Sequence, residues 1–271
     1  MEKNMRPIGI FDSGIGGLTV LNAILNFFPN ESYVYIGDTA RLPYGTKSPQ
    51  TIIRYSEKMA EALLKFDPKA MIIACNTAST HALPAVQNIM GDSIPTIGMI
   101  DPAAKAAIAA TRNKHIAVIG TIATISSDIY ANKIKFIAPD IAVTSIPCQM
   151  MIALAEEGWV NTHIARDIIL KYIDDVFDKS NAPDTLILGC THFPLFAELI
   201  TDILGNRVTL INTGFEAGKE LARILPSITT STAPHIECFV TDGAERFEMN
   251  MKRFINETIS NHPSVKLLDI I

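Results

Sequence analysis

Two apolar runs that break at a cysteine constrain this chain more than any other feature. AMIIAC ends at Cys75 and continues into Asn76-Thr77, and DTLILGC ends at Cys190 and continues into Thr191-His192. Short apolar runs of this kind read as strands buried on both faces, which a sheet acquires when it is parallel and covered by helices on each side. In open sheets of that class, ligands bind in the crevice beyond the carboxyl ends of the strands. Each run therefore delivers a thiol to a ligand-binding edge, and the pair predicts two thiols facing one ligand.

The intervening chain alternates strands with helices throughout. IGIF (8–11) leads through Asp12-Ser13 and a glycine cluster into a helix ending near Phe28, and SYVYIG (32–37) leads into the irregular stretch DTARLPYG. A helix is expected from Ser48 to about Phe66, another from Ser79 to Met90, and a strand over 94–100 with Asp101-Pro102 capping the alanine-rich helix behind it. The second half restates the theme. HIAVIG precedes Thr121, Thr124 and Ser126 and a helix, IAVTSIP (141–147) is a strand, and AEEGW through about Asp178 is helical. The spacing from Asp12 to Cys75 resembles that from Thr121 to Cys190, which suggests a duplicated α/β unit whose halves meet face to face. After Pro194 come a helix, the strand RVTLIN, the helix GFEAGKELARIL, a polar loop ITTSTAPH, the strand IECFVT and a last helix over about 244–259. The expected fold is α/β: two similar domains with mostly parallel sheets flanked by helices, and the site in the cleft between them.

Bulk properties narrow the chemistry. A net charge of −5 with scattered lysines and arginines gives no footprint for nucleic acid or an anionic membrane, so a small soluble ligand is expected. The first residues carry no charged segment followed by an apolar one, and no apolar run approaches the ~20 residues a membrane span requires, so a cytoplasmic location is expected. Four cysteines in 271 residues make no disulfide framework. Without a CxxC, and with His192 alone among the histidines within two residues of a cysteine, no metal site is expected.

What the two thiols can do follows from their equivalence. A cysteine hydrolase needs one activated thiol oriented by a histidine. Two opposed, equivalent acid/base groups suit a racemase, in which one removes a proton from a stereocentre and the other returns a proton on the opposite face. No phosphate loop with a Schiff-base lysine accompanies them, so the expected route uses no cofactor and needs a tight clamp on the substrate carboxylate. Asp12 and His192 are the candidate proton partners of the thiols. Asn76, Thr77 and Thr191 could instead satisfy strand-end backbone groups, and Cys148 and Cys238, which no polar pair follows, read as core thiols. A lyase using one thiol as proton donor, and a two-domain binding protein, remain the competing classes.

DSGIGGLTVL, YIGDTARLPYGTKSP, ACNTAS, IGTIAT and LGCTHFPL, in that order, resemble the glutamate racemases of the aspartate/glutamate racemase superfamily. The resemblance covers most of residues 8–200. It implies cofactor-independent interconversion of the glutamate enantiomers, supplying D-glutamate for bacterial peptidoglycan, with Cys75 serving one face of Cα and Cys190 the other. It further implies that Asp12, Ser13, Tyr44, Gly45, Asn76, Thr77, Thr191 and His192 hold the amino acid, with Thr121 and Thr124 nearby, and that the enzyme is a homodimer. The implied domains are 1–99 plus 211–271, carrying Cys75, and 100–210, carrying Cys190. The chain departs from the family pattern at Pro147-Cys148, Asn212-Thr213 and Thr241-Asp242-Gly243, outside the thiol motifs.

Overall fold

The computed structural model describes residues 6–225, 234–255 and 263–270. In chain order the elements are β1 (Ile8–Asp12), α1 (Leu18–Leu25), β2 (Ser32–Gly37), α2 (Pro49–Leu64), β3 (Ala70–Ile73), α3 (Asn76–Met90), β4 (Thr96–Gly98) and α4 (Ile100–Ala110). Then follow β5 (His115–Gly120), α5 (Ile122–Ser126), α6 (Ile129–Ile137), β6 (Ala142–Pro147), α7 (Met150–Glu156), α8 (His163–Phe177), β7 (Thr185–Gly189) and α9 (Ala197–Leu204). The chain closes with β8 (Thr209–Asn212), α10 (Thr213–Ile224), β9 (His235–Val240), α11 (Ala244–Met251) and β10 (Val265–Leu267).

The strands form two sheets, one ordered β10-β9-β2-β1-β3-β4 and the other β6-β5-β7-β8. All the pairings are parallel. Alternation along each strand explains why both runs to cysteine are apolar throughout. In the first sheet Ile8, Ile10, Tyr33, Tyr35 and Ile72 pack on one face, and Phe11, Val34, Ile36, Met71 and Ile73 on the other. The second repeats this with Ala117, Ile119, Leu186 and Leu188 opposite Ile116, Val118 and Ile187. Each fully buried Ile or Leu stabilises the fold by roughly 1.5–3 kcal/mol, so a polar residue inside either run would cost several times what a surface change does.

Local chemistry sets the helix starts. Ser48 accepts a hydrogen bond from Thr51 N at 3.4 Å with Pro49 at the first helical position of α2, and Thr162 caps α8 by accepting from Ala165 N at 3.1 Å. Several boundaries differ from those read in the sequence. α3 begins at Asn76 rather than Ser79 because Cys75 itself is the N-cap. The strand expected over 94–100 is only β4, and α4 starts at Ile100 with Met99 at its N-cap, so Asp101 lies in the first turn and does not cap. The last helix ends at Met251. Residues 256–259 of its expected span, and 228–233 of the polar loop, lie outside the described residues.

β8 pairs with β7 along its whole length, in the register Thr185↔Thr209 to Leu188↔Asn212. The expected boundary at 210/211 therefore falls inside a strand of the second sheet, and the return to the first sheet comes afterwards, through α10 and β9. Among the described residues no helix is long and apolar enough to cross a membrane.

Candidate active site

Cys75 and Cys190 line one cavity between the carboxyl edges of the two sheets. Its wall also includes Ser13, Tyr44, Gly45, Asn76, Thr77, Thr121, Thr191 and His192, so the predicted site residues converge there apart from Asp12 and Thr124. The sheets approach closely around it. A Cβ added to Gly16 would lie 2.4 Å from Thr191 Oγ1, and one added to Gly45 would lie 2.8 Å from Thr121 Cβ. Only glycine fits at either contact.

On the first sheet, Cys75 follows β3 and caps α3, its Sγ accepting from Ala78 N at 3.4 Å and donating to Ser13 Oγ at 3.5 Å. The N-terminus of a fifteen-residue helix favours negative charge here. Burial works the other way and, with the charge of Asp12, pushes the Cys75 thiol up to about 12, while Ser13 and the Ala78 N–H pull it down. Asp12 is wholly buried behind the cavity wall. Its Oδ2 accepts from Gly14 N and Gly17 N, both at 3.0 Å, and its Oδ1 has no partner. Burial raises its pKa, with the His192 charge and the glycine N–H groups opposing.

The second thiol has a different companion. Cys190 follows β7 and lies 3.8 Å from His192 Nδ1, while His192 Nε2 lies 3.4 Å from Glu156 Oε1. That second contact is an ion pair without hydrogen-bond alignment, and Nε2 has no aligned partner. Phe254 meets the imidazole edge-on, with centroids 5.6 Å apart at 88°. Burial disfavours a charged ring, but Cys190 and Glu156 together outweigh it and hold His192 up to about 10. Glu156 in turn is held below the usual carboxylate range, chiefly by His192.

Hydroxyl and amide groups stitch the sheets together beneath the thiols. Thr77 Oγ1 lies 3.0 Å from Thr121 Oγ1 and 3.3 Å from Thr124 Oγ1, and Thr121 Oγ1 also accepts from Thr124 N at 3.2 Å. Asn76 Oδ1 accepts from Tyr130 OH at 2.7 Å and its Nδ2 donates to Thr213 Oγ1 at 3.4 Å. Its side chain is therefore occupied in this structure, which leaves backbone N–H groups at the start of α3 as donors for a ligand. Thr19 Oγ1 donates to Thr191 O at 2.7 Å, fixing the Cys190 turn against the first sheet. Sequence reasoning missed Glu156, and also Gly14, Leu42, Pro43 and Ile152, as lining residues. The AEEG segment carried the only signal for Glu156, and nothing in it points to a histidine far along the chain.

An edge with two thiols, one flanked by a helix N-terminus and the other by an imidazole and carboxylate, can exchange protons with both faces of a small bound molecule. Comparison with known proteins agrees with that chemistry. The chain is 41% identical over 266 residues to a glutamate racemase of Geobacter metallireducens, covering 97% of each. It superposes on the crystal structure of glutamate racemase from Francisella tularensis in complex with D-glutamate with a TM-score of 0.87 at 37% identity, covering 99% of this chain and 98% of that one. A glutamate racemase from Bacillus anthracis gives a TM-score of 0.89 at 35% identity, covering 98% of both. Residues 17–215 match the family of Asp/Glu/Hydantoin racemases. By its sequence, this chain belongs to that family.

Proposed function

We propose that the protein interconverts L- and D-glutamate without a cofactor, by two-base proton transfer at Cα, and so supplies D-glutamate for bacterial peptidoglycan. The observation that carries this reading is the meeting of Cys75 and Cys190 in one cavity from the ends of strands in separate sheets. One thiol, as thiolate, takes the Cα proton. The other delivers its proton to the opposite face, and the roles reverse for the other enantiomer. Backbone N–H groups at Asn76-Thr77, Thr191-His192 and Tyr44-Gly45 hold the substrate carboxylate, which takes on further negative charge as the proton leaves. Ser13 and Thr121 complete the polar wall, with Thr124 hydrogen-bonded to Thr121 behind it.

Asp12 and His192 assist the thiols on their respective sides. The unpartnered Oδ1 of Asp12 is an acceptor without a donor, and a buried acceptor of that kind behind the wall suits a proton in transit. His192, with its pKa held up to about 10, keeps a cation beside Cys190 through the neutral range. We read the chain as two domains, residues 1–99 with the segment after β8, and residues 100–212. The working form is a cytoplasmic homodimer.

The test is exchange in D₂O. Either enantiomer of glutamate is expected to gain deuterium at Cα without added cofactor. Binding of glutamate with no exchange would overturn the reading, and exchange with aspartate alone would move the substrate within the family.

A further inference from the structure

The loop between β2 and α2 contains a second buried carboxylate that the proton-transfer scheme does not use. Asp38 follows β2 directly, its N–H donates to Asp12 O at 3.0 Å, and it is completely buried. A carboxylate withheld from water must be matched by donors, and Asp38 draws them from three places. Tyr44 OH donates to Oδ2 at 2.6 Å, while Arg41 Nη1 at 2.9 Å and Thr241 Oγ1 at 3.0 Å donate to Oδ1. Arg41 Nη2 also donates to the Ile270 carbonyl at 2.5 Å, and Thr241 Oγ1 accepts from Ala40 N at 2.8 Å. Thr39 Oγ1 donates to Asp242 O and accepts from Asp242 N at 2.9 Å. The loop is thereby tied to the end of β9 and to the C-terminal segment.

We propose that Asp38 is a positioning residue: it holds the Tyr44-Gly45 segment against the cavity through the Tyr44 hydroxyl, with Arg41 and Thr241 fixing the carboxylate in place. This rests on the reading above that Tyr44-Gly45 backbone groups bind the substrate. Asp38 does not line the cavity, whereas Tyr44 and Gly45 do. Tyr44 has its ring buried, 1% exposed, against Tyr55 at a centroid distance of 5.8 Å. Its phenol thus reaches a residue outside the cavity wall, while Tyr44 and Gly45 form part of that wall. Apolar packing alone would bury the ring with some freedom to slide, and a charge-assisted hydrogen bond to a carboxylate fixed by two further donors removes it.

The substrate carboxylate is already anionic before the proton leaves, so most of this hold acts on bound substrate and transition state alike, and its loss raises KM more than it lowers kcat. Asp38→Asn and Tyr44→Phe are each expected to raise KM for glutamate about tenfold and to change kcat by less than about threefold, on the scale of one charge-assisted hydrogen bond. The double variant should be no worse than the poorer single one, because both break the same link. A fall in kcat at unchanged KM, or additive losses, would overturn the proposal. Thr241→Val leaves the carboxylate, Arg41 and Tyr44 in place and guards against misfolding of Asp38→Asn; a KM rise of about threefold is expected. Amide hydrogen exchange over residues 41–46 should quicken in all three variants while α8 keeps its protection, and unchanged exchange at 41–46 would likewise overturn it. That readout needs no turnover, so a wild-type protein inactive on glutamate would sink the functional reading while exchange at 41–46 still decides the positioning.

Discussion

Cys75 and Cys190 end strands at matching places in two sheets, yet the chain treats them differently. Cys75 caps a fifteen-residue helix and has a hydroxyl, Ser13, at 3.5 Å. Cys190 is followed by a turn and the 3-10 segment Phe193–Phe196, and its companion is the imidazole of His192, backed by Glu156. The first thiol thus sits among backbone dipoles that never titrate, the second beside a side chain that does. Equivalence of position in a repeated fold does not entail equivalence of acid/base support.

The largest effects belong to the thiols themselves. Cys75→Ser and Cys190→Ser are each expected to lower kcat/KM by at least about 10³-fold, the upper range for a positioned acid or base. Near wild-type turnover in either variant would break the two-thiol comparison at its root.

Weakening the flanks sharpens the asymmetry. His192→Asn and Asp12→Asn are each expected to cost about 10²-fold in kcat/KM. Because the two enantiomers are equally stable, each variant must lose kcat/KM equally in both directions. The difference appears in the Cα-deuterium isotope effect. It should grow with one deuterated enantiomer in His192→Asn and with the other in Asp12→Asn, as proton removal on the weakened side becomes more rate-limiting. Growth with the same enantiomer in both would mean that the flanks serve one thiol.

The two strand ends were legible because each is a short local pattern, an apolar run, a break and a polar pair; the Pro43-Tyr44-Gly45 turn was legible as a loop at a strand end, and Thr121 and Thr124 entered the site through the family resemblance. What escaped depended on pairing between distant segments. RVTLIN is a strand in any reading, but its membership of the second sheet is set by β7, which no local pattern reveals. Glu156 ends an ordinary amphipathic helix, and only the packing of α7 against the Cys190 turn brings it to His192. Asp12 was legible as a turn residue, while its retreat behind the cavity wall follows from Gly14 and Gly17 closing on its carboxylate.

A smaller effect separates the flanks by pH. His192 has a folded pKa raised from 6.5 to about 10. A raised value means the folded state holds the proton more tightly, so this stabilisation is fully present below pH 6.5 and is lost as pH rises through about 10. In urea unfolding, the stability gap between wild type and His192→Asn should therefore shrink over that window. Glu156→Gln removes one of the groups that raise the value, so the shrinkage should come at lower pH. A gap independent of pH would show that the imidazole is neutral and that the two flanks differ less than their geometry suggests.

The smallest effects come from the remaining thiols, and they decide what a raised pKa means here. Burial first of all pushes Cys148 and Cys238 up to about 12, as it does Cys75. A difficult-to-ionise thiol is therefore shared by Cys75 with two core cysteines and by itself marks no function. Place distinguishes them: Cys148 Sγ donates to Ile146 O at 3.6 Å within the second core, and Cys238 lies inside β9 between β2 and β10. Neither lines the cavity. Cys148→Ala and Cys238→Ala are expected to leave kcat and KM within about twofold, and to lower unfolding stability by about 1 kcal/mol each for the lost buried volume. A hundredfold fall in turnover in either, with stability intact, would mean that proton transfer runs through a thiol outside the cleft, and the contrast between the two strand ends would lose its meaning.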